Sequence, residues 1–586
     1  MKIINNLFLT LVLIFIPSQS IASYAQSDIS SDGVVVTQHY LATEIGENIL
    51  TQGGNAYDAA IAVGFALAVV LPRAGNIGGG GFMVIYDEDS NDTYAIDYRE
   101  KAPAASFRDM YLDENGEFDI LKSTFGYNAI GVPGTVHGFW SVHQRFGSLP
   151  WADLIQPAII LAERGFVMSD YMAQTLNNYS EKMSYYDETR NIFLRNYPNL
   201  KDSRLIQNDL AKTLKRIQKD GLNGFYSGET ASLIAADMRE NGGLITEQDL
   251  IDYRSVWRNP IKGTYRGKTI VTMPPPSSGG IHLIQMLNIL ENFDLGSYEH
   301  NSYQYVSLLS ETMKYAYADR SEYLGDPDFF EVPISKITAK EYAKKISASI
   351  RDLGVLPSSK INPGMYINPE SNETTHFSIA DKFGNVISNT YTINSAFGSG
   401  VTIKGTGILM NNEMDDFSGQ PGVPNQFGLL GGVANEIEPA KRPLSSMTPT
   451  IVFDNDEPFL AIGSPGGSRI ITAVLQIILN VIDFEQSLEE ATDSKRVHHQ
   501  WYPDDIDIEE TYNQINELMD LGYKIDIIDT ATCTQSIMID DGEFIGVSDL
   551  RRPDSLALGV KNDLSLIHIS EPTRLRRISY AVFCLK

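Results

Sequence analysis

From Ala56 to Val70 the chain is an almost unbroken run of Ala, Val, Leu and Ile, introduced by Gly53-Gly54-Asn55 and stopped near Pro72. A helix that is apolar on most of its sides has no face to offer water. It must lie sandwiched between layers of a large fold. Gly75 to Gly81 follows, and Phe82-Met83-Val84-Ile85-Tyr86 then reads as a buried strand. Buried helices set against buried strands predict a layered α/β (α+β) domain, and 586 residues supply ample core for one.

The rest of the chain fits that plan. Leu149 to Phe166 and much of Asp170 to Leu250 have helical spacing, and the rigid turn Pro274 to Gly280 leads into a helix over Ile281 to Glu291. A further helix is predicted over Tyr303 to Arg320. Residues 357–373 are rich in Pro, Ser, Asn and Gly and read as an exposed loop. Beyond them, Thr375 to Ala380 and Val386 to Ile393 flank a Lys382-Phe383-Gly384-Asn385 turn, the pattern of a hairpin. Short strands are expected at Ile408–Leu409, Thr450–Phe453 and Phe459–Ile462, and a helix over Arg469 to Ile482.

Charge and cysteine content remove several functions. The chain carries 46 Lys and Arg against 74 Asp and Glu, a formal charge of −28. Phosphate contacts need cations to replace counterions, so nucleic acid is a poor partner, and so is an anionic lipid surface. Cys533 and Cys584 are the two cysteines, too few for a disulfide framework. The nine histidines form no HExxH, and the adjacent His498 and His499 point apart. Asp504, Asp505, Asp507, Glu509 and Glu510 lack calcium-loop spacing and read as a solvated acidic face. No metal or cofactor is expected. GxGxxG, GxxxxGK[ST] and GxSxG are all missing.

The two ends differ from the body. Lys2, the apolar run Leu7 to Ile16, and the small residues Ser23 and Ala25 spell a secretory signal over residues 1–25. The apolar run is about half the ~20 residues a bilayer span needs. A periplasmic or secreted protein is expected. At the other end, residues 564–586 turn basic with Arg574, Arg576, Arg577 and Lys586, and read as a tail foreign to the fold.

One constellation carries chemistry. The loop 357–373 runs straight into Thr374-Thr375-His376 at a strand start. A threonine hydroxyl is a weak nucleophile without a base beside it. Cutting the chain before Thr374 supplies one, because the residue's own α-amine is then freed with a pKa near 8. His376 is within reach but redundant beside that amine, and reads as structural.

The segment TTHFSIADKFGNVISNTYTINSAFGSG (374–400) resembles the start of the small subunit of the γ-glutamyltransferases, or glutathione hydrolases. GGNAYDAAIAVGFALAVVLP, IGGGGFMVIYD, DYREKAP, GVPGTVHG, PPPSSGGIHL, MNNEMDDFS, RPLSSMTPTIV and GSPGGSRI look like blocks of that family in its order, across residues 33–560. The resemblance implies a four-layer αββα N-terminal-nucleophile hydrolase sandwich. It also implies one proenzyme chain cut between Glu373 and Thr374 into two intertwined subunits, large (26–373) and small (374–563).

Site residues follow from the same resemblance. Thr374 matches the nucleophile and Thr392 the second threonine that hydrogen-bonds it. Gly466 and Gly467 match the oxyanion hole. Arg99, Ser445 and Ser446 match the positions that hold a substrate α-carboxylate, a task suited to a guanidinium fork and hydroxyls. Asn394, Glu413 and Asp416 match those that hold its α-ammonium. Residues 418–437 resemble a lid loop, with Phe427 where a tyrosine is common. The implied partners are glutathione, other γ-glutamyl amides, and acceptor amino acids or peptides. An acylase of the same fold acting on glutaryl cephalosporins, and an unprocessed binding protein of the cell envelope, are the alternatives.

Overall fold

The computed structural model describes residues 23–362 and 374–561. The greater part of the predicted signal, the scissile residue Glu373 and the basic tail lie outside the described residues. Among those described, no helix is long and apolar enough to cross a membrane.

Two seven-stranded antiparallel sheets form the centre. One runs in the order Leu556–Gly559, Gly33–Thr37, Thr375–Asp381, Val386–Thr392, Gly80–Asp87, Asp92–Asp97, Val256–Arg258. The other runs Ala25–Ser30, Glu543–Asp549, Gln535–Asp540, Glu457–Ile462, Thr450–Asp454, Lys268–Thr272, Ile261–Tyr265. The hairpin Thr375–Asp381/Val386–Thr392 is therefore clasped on both sides by strands that precede residue 373. Segments on either side of the predicted cut are woven into one sheet, the interleaving that the family resemblance implies.

Side chains alternate along each strand, and here the alternation sorts them into different cores. Val35, Met83, Ile85, Phe377, Ile379, Ile387 and Tyr391 join the cluster built on helices Ala56–Val70, Thr135–Phe146 and Trp151–Arg164. Their neighbours Val34, Val36, Phe82, Val84, Ala380 and Val386 meet Ile451, Ala461 and Ile537 of the second sheet. Outside that sheet, Leu283, Met313, Val474 and Ile478 form the third core, with helices Gly279–Leu290, Tyr303–Tyr323 and Arg469–Ile482. Helix, sheet, sheet, helix is the four-layer order expected.

The Ala56–Val70 helix is buried along its whole length, as its sequence demands. Asn55 and Asp58 close a capping box at its start, and the Ala56 amide donates to Asp381 at 2.7 Å, tying the helix to the hairpin turn. Inside the helix, a Cβ on Gly64 would overlap the Phe139 ring.

Two expectations fail. Ile408–Leu409 is not a strand; Leu409 makes only an isolated bridge to Thr402. The acidic run 504–510 is not a solvated face throughout. Ile506–Glu509 is a strand, Glu509 is buried against Arg551 at 2.8 Å, and Asp507 pairs with Arg469. Counting charges locally could not show that arginines from elsewhere in the chain meet them. His498 is likewise enclosed, bonded to Thr472 at 2.8 Å, and no group of potential ligands could hold a metal ion among the described residues.

Candidate active site

Thr374 immediately precedes one strand of the hairpin and Thr392 ends the other. Thr375 pairs with Tyr391, so the same register brings Thr374 opposite Thr392. Both fall on the parity of Ser378 and Ser388, whose hydroxyls bond to Gln535 and Ile462 of the second sheet. The two threonines thus face between the sheets, at one end of the sandwich. The Thr392 hydroxyl accepts from the Asn394 amide at 2.8 Å.

A single cleft gathers most of the predicted residues: Arg99, Thr374, Thr392, Asn394, Glu413, Asp416, Ser445, Ser446 and Gly467. Its open volume is about 20 Å³, little more than a water needs. Gly466 does not line the cleft itself but adjoins Gly467. Both have positive φ, 121° and 55°, a conformation in which glycine is the undemanding residue. They lead directly into helix Arg469–Ile482, whose N-terminal end favours negative charge.

Arg99 is fully buried. Its Nη1 donates to Glu413 and its Nη2 to Asp416 and, at 3.1 Å, to the Leu444 carbonyl. Nε donates to the Pro443 carbonyl at 3.2 Å. Burial alone would depress this guanidinium, but Glu413 and Asp416 outweigh it and hold the charge firmly. The carboxyls respond the other way. Burial pushes Glu413 well up and Asp416 up, each partly offset by Arg99, and lifts Glu100 to about 8. Glu413 Oε2 and Asp416 Oδ1 are buried without a hydrogen-bond partner.

The Ser445–Ser446 turn is pinned from the Pro274–Gly280 loop. The Ser278 amide and hydroxyl both donate to the Ser445 carbonyl at 2.7 Å, and the Ser277 hydroxyl donates to that of Met447 at 2.6 Å. His376 is buried between Thr390 (2.8 Å) and Ser378 (3.0 Å). Burial lowers its pKa to about 3, so the ring is neutral and structural, as expected.

Arg320, Phe427, Leu429, Met447 and Ile470 complete the lining. Arg320 went unnoticed in the sequence, because it sits in an ordinary helical stretch and reaches the cleft only through the tertiary fold. Phe427, where the resemblance places a tyrosine, offers no hydroxyl to anchor the 418–437 loop. Instead its backbone carbonyl accepts from Gln500 Nε2 at 3.2 Å.

Residues 42–559 match the family model described as gamma-glutamyltranspeptidase. The chain is 49% identical over 535 residues to the glutathione hydrolase proenzyme of Escherichia coli (strain K12), covering 90% of this chain and 92% of that one. Among solved structures it is similar to the γ-glutamyltranspeptidase of Helicobacter pylori, at 47% identity and TM-score 0.54, over 56% of this chain and 94% of that one. It is also similar to a cephalosporin acylase from Bacillus halodurans, at 25% identity and TM-score 0.79, over 94% and 100%.

Proposed function

The chain belongs to the gamma-glutamyltranspeptidase family, and from that premise we propose a self-cleaving threonine-nucleophile enzyme. It takes the γ-glutamyl group from glutathione or a related amide and passes it to water or to the amine of an amino acid or peptide. The observation that carries this reading is the pair of unpartnered buried oxygens on Glu413 and Asp416, in the same cleft as Thr374. An ammonium has three donors and no acceptor. It satisfies both oxygens, while Arg99 and the Ser445–Ser446 hydroxyls meet the neighbouring carboxylate.

The steps follow. In the precursor, the Thr374 hydroxyl attacks the Glu373 carbonyl carbon, and the acyl group shifts from nitrogen to oxygen. Water then hydrolyses that ester, leaving a carboxylate on Glu373 and a free α-amine on Thr374. In turnover the amine takes the hydroxyl proton as Oγ attacks the γ-carbonyl. The Gly466 and Gly467 amides stabilise the oxyanion, a contribution on the order of 3 kcal/mol per donor. As the tetrahedral intermediate collapses, the amide C–N bond breaks and the departing amine collects the proton. Water or an acceptor amine attacks the resulting ester and restores Thr374. Thr392 orients the nucleophile. With the leader removed, the two products of self-cleavage are residues 26–373 and 374–586, the second carrying the folded small-subunit region 374–563, and the leader sequence supports export to the periplasm or beyond.

A cephalosporin acylase reading is less well supported, because a glutaryl group has no ammonium for Glu413 and Asp416. The test is purified protein on a denaturing gel with glutathione as substrate. Two fragments, the smaller beginning Thr-Thr-His, together with released glutamate are expected. Thr374→Ala should remain one chain and release none. An active protein that stays in one piece, or one that cleaves glutaryl anilide faster than γ-glutamyl anilide, would overturn the proposal.

A further inference from the structure

Arg320 stands in the last turn of helix Tyr303–Tyr323 and is buried, yet it lines the cleft. Its Nη2 donates to Ser446 Oγ at 3.2 Å and its Nε to Ser278 Oγ at 3.0 Å. One turn earlier on the same helix, the Tyr317 hydroxyl donates to the Ser468 carbonyl, beside Gly467. This helix therefore braces both the Ser445–Ser446 turn and the loop carrying the glycine amides.

A guanidinium only donates, so both serine oxygens must accept from it and send their own protons elsewhere. Ser278 sends its proton to the Ser445 carbonyl. Ser446 Oγ donates to no acceptor among the described residues, although its carbonyl accepts from Thr448 at 2.8 Å. Arg320 thus forces the Ser446 hydroxyl to be a donor and polarises it. The guanidinium is also near enough to Asp416 to offset part of its upward shift. A buried positive charge behind a donor-only hydroxyl favours an anion over a neutral group of the same shape.

We propose that Arg320 is a positioning residue, acting through Ser446, that makes an α-carboxylate obligatory in the γ-glutamyl donor. This rests on the function proposed above. Arg99 shares its charge with Glu413 and Asp416, and Arg320 adds a second positive charge behind Ser446. The Pro274–Gly280 turn has its place in the same device, because Ser278 holds the guanidinium in position.

The test compares γ-glutamyl anilide with its α-carboxamide counterpart, using the intact self-cleaved protein. Arg320→Met should raise KM for the acid by at least about tenfold, the loss of one charge-assisted bond, and leave KM for the amide unchanged. kcat for the acid should change much less than KM. Arg320→Lys should recover part of the acid preference. Ser446→Ala should reproduce the Arg320→Met effect, and the double variant should be no worse than either single one. Equal losses on both substrates, or additive losses in the double variant, would overturn the inference. If Arg320→Met fails to self-cleave, the acid-to-amide ratio of Arg320→Lys decides by the same criterion. A parent protein inert towards both substrates would instead sink the function proposed above.

Discussion

Arg99 and Glu413, matched by resemblance to opposite ends of a zwitterionic substrate, bond directly to each other, with Asp416 on the guanidinium's second nitrogen. Within the cleft these opposite charges satisfy one another. A substrate carrying a carboxylate and an ammonium exchanges these contacts one for one, so no charge is left buried alone at any stage. Arg99→Lys keeps the charge but loses the planar fork. KM for γ-glutamyl substrates should rise by about tenfold or more, with a smaller change in kcat. Arg99→Met should go further and lower stability by roughly 3–5 kcal/mol, because two buried carboxylates lose their cation. Urea unfolding of the two variants checks this, and an Arg99→Met protein as stable as its parent would contradict it.

The 418–437 loop is fastened by Gln500. Its Nε2 donates to the Phe427 carbonyl at 3.2 Å, while its Oε1 accepts from the Ser468 hydroxyl at 2.6 Å. One side chain therefore links the 418–437 loop to the segment beside Gly467. Gln500→Leu keeps the volume and removes both bonds, together with the one Oε1 makes with His498 Nε2 at 3.0 Å, each worth about 1 kcal/mol net. Limited proteolysis within 418–437 should become several-fold faster, by that same arithmetic, and KM should rise. Because Phe427 takes part through its backbone, Phe427→Leu should leave the proteolysis rate much closer to that of the parent.

How far the sequence reached depends on the range of the forces involved. The Ala56–Val70 helix and the Thr375–Thr392 hairpin were legible because burial and turn chemistry are written locally. Thr374 was suggested by a loop running into a strand, and the cleft brings it to the other residues matched by resemblance. Arg320 and Gln500 were not legible. Each acts through a partner more than seventy residues away, Ser446 for one and Phe427 for the other, and neither is marked by its neighbours. Glu509 was misread for the same reason, since Arg551 reaches it only across the fold.

Gly463 has no room for a side chain. A Cβ there would overlap the imidazole of His376, two residues after Thr374. The strand that ends at Ile462 can enter the Gly466–Gly467 loop only by passing tight against that ring. Gly463→Ala must push His376 or the loop aside, and overpacking of this kind typically costs about 1–3 kcal/mol. The displaced loop carries the amides assigned to the oxyanion, so self-cleavage should slow along with turnover. Gly463→Ala with His376→Ala should recover part of the stability, since the smaller side chain vacates the space. A lone Gly463→Ala that cleaves itself at the parental rate would show that the contact does not matter.

Two buried groups near the site make stability depend on pH in opposite directions. Burial lowers His376 from 6.5 to about 3 in the folded protein. The unfolded chain then binds the proton more readily, so stability is complete above about pH 6.5 and is lost as pH falls towards 3. Asp415 behaves conversely. Burial lifts it from 3.8 to about 7, against the bonds it accepts from Ser123 (2.5 Å) and Gln426 (2.9 Å). The folded state now holds the proton more tightly, so stability falls as pH rises from about 4 to about 7. Asp415→Asn cannot ionise, and its Tm should exceed the parent's at pH 8, with the gap closing as pH approaches 4. His376→Gln should flatten the acid side while leaving the alkaline side alone. Thermal melts of the three proteins between pH 4 and pH 8 separate the two effects, and parallel curves throughout would show that neither group titrates as its burial requires.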